Sequence, residues 1–287
     1  MRHKLSIGTA NFTQPYGVLS QGKAIPQKEV KAIFESALIK GIIDFDTAFG
    51  YGDLQEHLST LDSTSSVRLV SKFSILDDYD DVYDQIKSMC DRNDFKSFYG
   101  LLVHDPQNIA QADKQNLTAF FDRLKKDRLV QKVGVSVYDL DELKTFNKIL
   151  PADLVQIPLN PFNQVFLESE AQEYLAKSQV EVHARSLFLQ GVLLADALPA
   201  YLDGLRKNWE RFNDLSAEFP SKLEALLWWA NSQSFVTKWV LGVSSKRDLD
   251  GLAQASSSII STKDPALFSV LSAKYTPLVD PRNWDFT

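Results

Sequence analysis

Asp46, Tyr51, Lys72 and His104 are residue types suited to handing a proton to a carbonyl oxygen. A free tyrosine titrates near ~10 and is a reluctant acid at neutral pH. An ammonium beside it stabilises the phenolate and lowers that pKa, and a carboxylate holds the ammonium in position. A histidine can hydrogen-bond the same oxygen and fix the direction of the carbonyl. Each residue also has an ordinary reading: Asp46 as a helix cap, Tyr51 as a surface aromatic, Lys72 as a solvated strand end, His104 as a satisfied rim histidine. Their joint placement at successive strand ends favours chemistry, with Tyr51 framed by Gly50 and Gly52, residues that allow a tight turn.

The elements that must position them alternate along the chain. Strands are expected over residues 4–10, 42–46, 67–73, 99–104, 132–137, 154–159, 180–187 and 238–243. Helices are expected over 27–40, 53–61, 81–90, 110–127, 139–150, 168–178, 221–231 and 247–255. Apolar strands with helical crossovers imply a parallel sheet covered on its outer face. Eight right-handed crossovers close into an α/β fold of the (β/α)8 TIM-barrel type, for which 287 residues is a typical length. One domain, residues 1–287, is expected. A doubly wound open sheet is the alternative, but it would want a third glycine after Gly50-Tyr51-Gly52. Chemistry in a barrel sits where strands end. Long loops on that face are expected at about 11–26 and 188–220. The tail beyond Thr262 is long enough that it could fold onto either barrel end, and the sequence does not specify which.

In order and spacing, Asp46, Tyr51, Lys72 and His104 resemble the catalytic tetrad of the aldo-keto reductase superfamily. Asp44-x-Asp46-Thr47-Ala48 and Gly50-Tyr51-Gly52 carry the same resemblance, which runs from Gly8 to about Ala255. It implies a barrel that binds a nicotinamide dinucleotide in extended form and transfers hydride directly to an aldehyde or ketone, with Tyr51 delivering the proton. It also implies a set of cofactor positions. Ser136, in Gly134-Val135-Ser136-Val137, and Gln156 match residues that grip the carboxamide, although Val137 replaces an expected amide. Arg185 stands where many members stack a tyrosine on the nicotinamide, and Ser186 and Gly191 follow it. Gly242, Ser244, Ser245, Lys246 and Arg247 match the segment that holds the adenosine 2′-phosphate. Asp248 and Leu252 depart from that segment's pattern, so the implied preference for NADP(H) over NAD(H) is shallow. A dinucleotide-binding regulatory barrel with little turnover is the alternative function. The substrate class stays open. Phe12, Tyr16, Phe49 and Phe73 would wall a pocket for an apolar carbonyl, Gln14 and Gln21 would suit a polyol, and a weak likeness points to a sugar-type carbonyl.

Composition narrows the remaining classes. The net charge of −6, with both signs interspersed, argues against a nucleic-acid partner. Cys90 is the one cysteine and cannot form an internal disulfide, which fits a reducing cytoplasmic compartment. The N-terminus lacks a signal-peptide apolar core, and no apolar run reaches membrane-spanning length. Strand alternation puts Glu181, His183 and Arg185 on one face. With four histidines and no third ligand at suitable spacing, a polar network is expected there, and no metal. The sequence does not indicate an oligomeric state.

Overall fold

Short runs rich in valine, leucine and isoleucine become eight parallel strands in the computed structural model, which describes residues 1–13, 24–52, 67–93, 96–258, 263–273 and 277–284. They are β1 (Leu5–Gly8), β2 (Asp44–Asp46), β3 (Arg68–Phe73), β4 (Phe98–Val103), β5 (Val130–Ser136), β6 (Leu154–Pro158), β7 (Glu181–Arg185) and β8 (Lys238–Gly242). Each pairs with the next, and β8 returns to β1 through Leu5 opposite Trp239 and Gly8 opposite Gly242, which closes a barrel. The expected (β/α)8 architecture is the one observed.

Helices cover the outside: α1 (Gln27–Ile39), α2 (Tyr79–Arg92), α3 (Lys114–Lys126), α4 (Leu140–Asn147), α5 (Ser169–Ser178), α6 (Arg206–Ser216), α7 (Lys222–Ser232) and α8 (Lys246–Ser257). Several starts are set by side-chain caps: Asp78, Asp113, Asp139, Ser221 and Ser245 each accept a backbone N–H from the first turn. Such a cap is worth about 1 kcal/mol. Asp113 explains one shifted boundary. The helix expected from residue 110 begins at Lys114, because the aspartate caps there and a 3-10 segment, Pro106–Gln111, precedes it. The stretch read as one long irregular loop, 188–220, contains α6. Its apolar stripe of Trp209, Phe212 and Leu215 is narrow, and the rest of the helix is polar. The helix expected over 53–61 and most of the 11–26 loop lie outside the described residues.

Strand residues alternate between two cores. Outward-facing Phe45, Leu69, Phe73, Leu101, Val135, Ile157 and Trp239 are buried against the helices. Inside the barrel, Val70, Leu102 and Leu154 form a small separate cluster. Gly134 makes room for it. A Cβ on that residue would stand 1.7 Å from the Leu154 carbonyl oxygen, so only glycine fits where β5 and β6 close up. Toward the strand N-termini the interior is charged. Asp44 pairs with Lys238 at 2.5 Å and with Arg68 at 3.3 Å, and Glu181 pairs with Lys132 and with His183 at 2.8 Å. The face carrying Glu181 and His183 is therefore the polar network its residue types suggested.

Candidate active site

Strand alternation and register put Asp46 and Lys72 on the inner face at the C-terminal mouth. Lys72 is fully enclosed. Its ammonium donates to Asp46 Oδ1 at 2.5 Å and to the Thr47 carbonyl at 2.9 Å. Gln156, on β6, donates from Nε2 to the other oxygen, Asp46 Oδ2, at 2.7 Å. One carboxylate thus ties three strands together. Tyr51 lies on a single 3-10 turn, Phe49–Tyr51, just past β2, with its ring centre 5.6 Å from the Lys72 ammonium. His104 follows β4 and meets Tyr51 edge to face, with ring centres 5.7 Å apart. Asp46, Tyr51, Lys72 and His104 share one side of the mouth. Of the two framing glycines, Gly52 is the one geometry requires. Its φ is 104°, and a Cβ there would meet Thr13 at 2.9 Å, whereas Gly50 has open space around it.

Electrostatics at the mouth follow burial. Desolvation, then the Asp46 charge, push the Tyr51 phenol well above its usual value, against a smaller opposing pull from Arg185. This reverses the expectation that Lys72 lowers it. The Lys72 charge is matched by Asp46 at 2.5 Å, so the pair offers the phenol little net positive field. Lys72 itself is pushed down by burial, with Asp46 opposing. His104 falls to about 4, through burial and then the charges of Lys72 and Arg185, and is a neutral imidazole at pH 7.

The expected cofactor positions divide into two groups. Ser136, at the end of β5, is in register with Gln156 in the middle of β6, and both are buried. With Gln156 Nε2 committed to Asp46, its Oε1 is the atom left for a carboxamide. Arg185 ends β7 and reaches back to the Val137 carbonyl at 3.3 Å and to Ser186 Oγ at 3.4 Å. After it, Ser186, Leu189, Gln190 and Gly191 all have positive φ, a concentration of strained backbone typical of ligand-holding loops. Gly242 closes β8 with open space around its Cα. Ser245 caps α8, and Asn11 donates to the Val243 carbonyl and to Ser244 Oγ.

At the start of α8 carboxylates already hold the donors. Asp248 accepts from Ser244 N at 3.1 Å, and Glu29 accepts from Lys246 N at 2.6 Å. Lys246 Nζ binds Asp250 at 2.6 Å. Arg247 is exposed and has no hydrogen-bond or ionic partner among the described residues. Among the described residues the segment therefore retains one uncommitted cation, and a phosphate there would compete with Glu29 and Asp248.

Some residues at the mouth had no signal in the sequence. Tyr138, directly after Val137, is close enough to act electrostatically on Tyr51 and Lys72. It stacks on Arg185 at 4.1 Å and on Arg282 of the C-terminal tail at 3.4 Å. Its position after the Gly-Val-Ser-Val segment could have drawn attention; nothing in the sequence could have brought Arg282 to it. Phe12 and Phe73, expected in a pocket wall, are core residues. Phe73 faces outward beside inward-facing Lys72 and packs on Tyr79, Phe120 and Phe121, while Phe12 packs on Phe34. Tyr16, Gln14 and Gln21 lie outside the described residues.

The sequence profile of the aldo/keto reductase family matches residues 4–269, nearly the whole chain. The chain belongs to the aldo/keto reductase family. Solved members have the same fold at low identity. An aldo-keto reductase from Bacillus halodurans, in its holo form, superposes with a TM-score of 0.73 at 15% identity, covering 95% of this chain and 93% of its own. A glycerol dehydrogenase from Gluconobacter oxydans gives 0.67 at 17% identity, covering 93% and 90%. A search of curated protein sequences gave no significant match. As an aldo/keto reductase, the chain is by family an oxidoreductase acting on small carbonyl compounds with a nicotinamide cofactor. Among the described residues no helix is long and apolar enough to cross a membrane.

Proposed function

We propose that this aldo/keto reductase reduces an aldehyde or ketone to an alcohol with Tyr51 as the proton donor, in the cytoplasm. The observation that carries the reading is the Asp46–Lys72 pair set beside Tyr51 and His104 on one side of the barrel mouth. When bound, the dinucleotide supplies the hydride. Tyr51, kept protonated by burial, holds the proton for the oxygen of the substrate. An alkoxide is a stronger base than a phenolate, so the proton moves downhill once charge develops on that oxygen. His104, neutral, directs a ring N–H at the carbonyl oxygen and fixes its orientation. Asp46 anchors Lys72 and Gln156, and so fixes the floor beneath the reacting carbon.

NADP(H) is the dinucleotide favoured in this reading, held at its 2′-phosphate by Ser244, Ser245, Lys246 and Arg247. The preference over NAD(H) is shallow, because Glu29 and Asp248 occupy neighbouring N–H groups and Lys246 is paired. Ser136, Gln156, Arg185, Ser186, Gly191 and Gly242 complete the cofactor groove. Sugar-type carbonyls belong to the substrate range to be screened.

The test is steady-state oxidation of NADPH and NADH with a panel of aldehydes and ketones, on wild type and Tyr51→Phe. General acid catalysis contributes about 10²–10⁴-fold, so the phenylalanine variant should lose at least a hundredfold in kcat. It should still bind the dinucleotide in a fluorescence titration. A variant that kept a tenth or more of the wild-type rate would remove Tyr51 from the role. A wild type that bound dinucleotide but turned over none of the panel would favour the regulatory alternative.

A further inference from the structure

Asn160 and Asn11 are buried amides that each join the loop after one strand to the loop after its neighbour. Asn160 follows β6 and is completely enclosed. Its Oδ1 accepts the backbone N–H of Phe162 at 2.9 Å and of Asn163 at 3.0 Å, which closes the turn leaving the strand. Its Nδ2 donates to the Ser186 carbonyl, just past β7, at 3.1 Å. Because the oxygen meets two donors and the nitrogen meets an acceptor, the amide has one satisfactory orientation. Asn11 repeats the arrangement between β1 and β8. It is nearly buried, and its Nδ2 donates to the Val243 carbonyl at 2.8 Å and to Ser244 Oγ at 3.4 Å.

The ordinary reading of Asn160 is a side chain that shapes its own turn. The bond to Ser186 adds nothing to that turn; it acts on the loop after β7. There Ser186, Leu189 and Gln190 take φ between 46° and 65°, and Gly191 follows at 97°. Left-handed backbone at non-glycine residues is strained and persists only where the surroundings over-determine it. Within the segment, the Leu189 N–H donates to the Ser186 carbonyl and the Gly191 N–H to the Phe188 carbonyl, each at 2.9 Å. From outside it, the Leu159 N–H holds the Arg185 carbonyl at 3.0 Å, and Asn160 holds the carbonyl of the first strained residue. At the other junction Val243 and Ser244 lead into Ser245, which caps α8. Asn11 fixes a carbonyl and a hydroxyl directly ahead of that cap.

We propose that Asn160 and Asn11 are positioning residues that preset two parts of the dinucleotide groove: Asn160 the part common to NADPH and NADH, Asn11 the part that meets the 2′-phosphate. The proposal rests on the cofactor reading given above, in which Ser186 and Gly191 line the common part and Ser244 to Arg247 the 2′-phosphate end. Neither asparagine has to touch the cofactor. Each holds its loop in the binding conformation beforehand, so that binding does not have to order it.

The test replaces each asparagine by serine, whose hydroxyl can still accept an N–H locally but is too short to reach the neighbouring loop. NADPH and NADH are titrated by protein fluorescence onto wild type, Asn160→Ser and Asn11→Ser, with urea midpoints measured alongside. Loss of one ordinary hydrogen bond corresponds to about fivefold to tenfold in affinity. Asn160→Ser should weaken both dinucleotides by that factor and leave their ratio unchanged. Asn11→Ser should weaken NADPH by that factor while NADH hardly moves. A general loss of stability lowers the urea midpoint but does not select one dinucleotide over the other. Any other division of effects, including wild-type affinities in either variant, would overturn the proposal. Amide hydrogen exchange on the wild type needs no variant to fold. Peptides spanning 186–191 and 243–247 should exchange slowly without dinucleotide and change little when NADPH is added. Fast exchange that slows only on addition of NADPH would overturn the presetting. A wild type that bound neither dinucleotide would overturn the cofactor reading and this proposal with it, a result distinct from variants that bind as the wild type does.

Discussion

Burial sets the protonation of the mouth before any partner does. His104 titrates at about 4 in the folded chain, against 6.5 for a free imidazole. Between those two values the unfolded chain binds a proton that the folded chain refuses. Acid therefore drives unfolding across that range, and stability falls as pH drops from about 6.5 toward 4. His104→Gln should flatten this slope. Urea midpoints measured every half pH unit, on wild type and variant, would show it; identical slopes would mean that His104 is not depressed. An acid limb contributed by His104 to a pH–rate profile is therefore expected near pH 4 rather than near 6. Tyr51 behaves in the opposite sense. Burial makes its phenol a weaker acid than a free tyrosine, so in the proposed role its proton leaves only once strong basicity has developed on the substrate oxygen.

Elements decide two further outcomes. The start of α8 is stabilised by Ser245 and by carboxylates on Asp248 and on Glu29 of α1. Glu29 thus serves helix packing at the cost of any phosphate placed there. Glu29→Gln keeps an acceptor for Lys246 N but removes the charge. It should raise affinity for NADPH about tenfold relative to NADH, or about 1.4 kcal/mol. Parallel fluorescence titrations of both cofactors check this, and an unchanged ratio would place the 2′-phosphate elsewhere. Between β5 and β6 the constraint is steric. Gly134→Ala would force its methyl into the Leu154 carbonyl, and backbone cannot swing aside as a side chain does. The substitution should cost about 3 kcal/mol or more, readable as a lowered urea midpoint.

At the scale of the whole molecule, the C-terminal tail folds onto the active face. Arg282 reaches Tyr138 in the loop after β5, and Trp284 packs on Tyr201 in the segment after β7. The Trp284 indole N–H donates to the Leu278 carbonyl at 2.9 Å, and the side chain is nearly buried. Trp284→Ala should cost about 3 kcal/mol, the low end for a buried aromatic because Tyr201 is partly exposed. A urea midpoint equal to that of wild type would mean that the tail is not docked in solution. Docking ties residues far apart in sequence to the mouth, and it brings Arg282 onto the ring that Arg185 also touches.

The sequence by itself determined the barrel, put Asp46, Lys72 and His104 at strand ends and put Glu181, His183 and Arg185 on one face, while Gln156 was legible only through the family resemblance. Alternation in apolar strands is a local property, and strand ends follow from it. It also determined the helices with wide apolar stripes, but not α6, whose stripe is narrow. Tertiary structure alone decided how charges met. Lys72 is neutralised by Asp46, Gln156 turns to that carboxylate, and Glu29 reaches the start of α8 from α1. It also placed Phe12 in the core and brought Arg282 onto Tyr138, whereas the outward face of Phe73 follows from strand alternation beside inward-facing Lys72. Such pairing depends on distances of a few ångströms between residues separated along the chain, 26 positions for Asp46 and Lys72 and 110 for Asp46 and Gln156. Residue type and periodicity fix which face a side chain takes; only the closed barrel fixes which neighbour answers it.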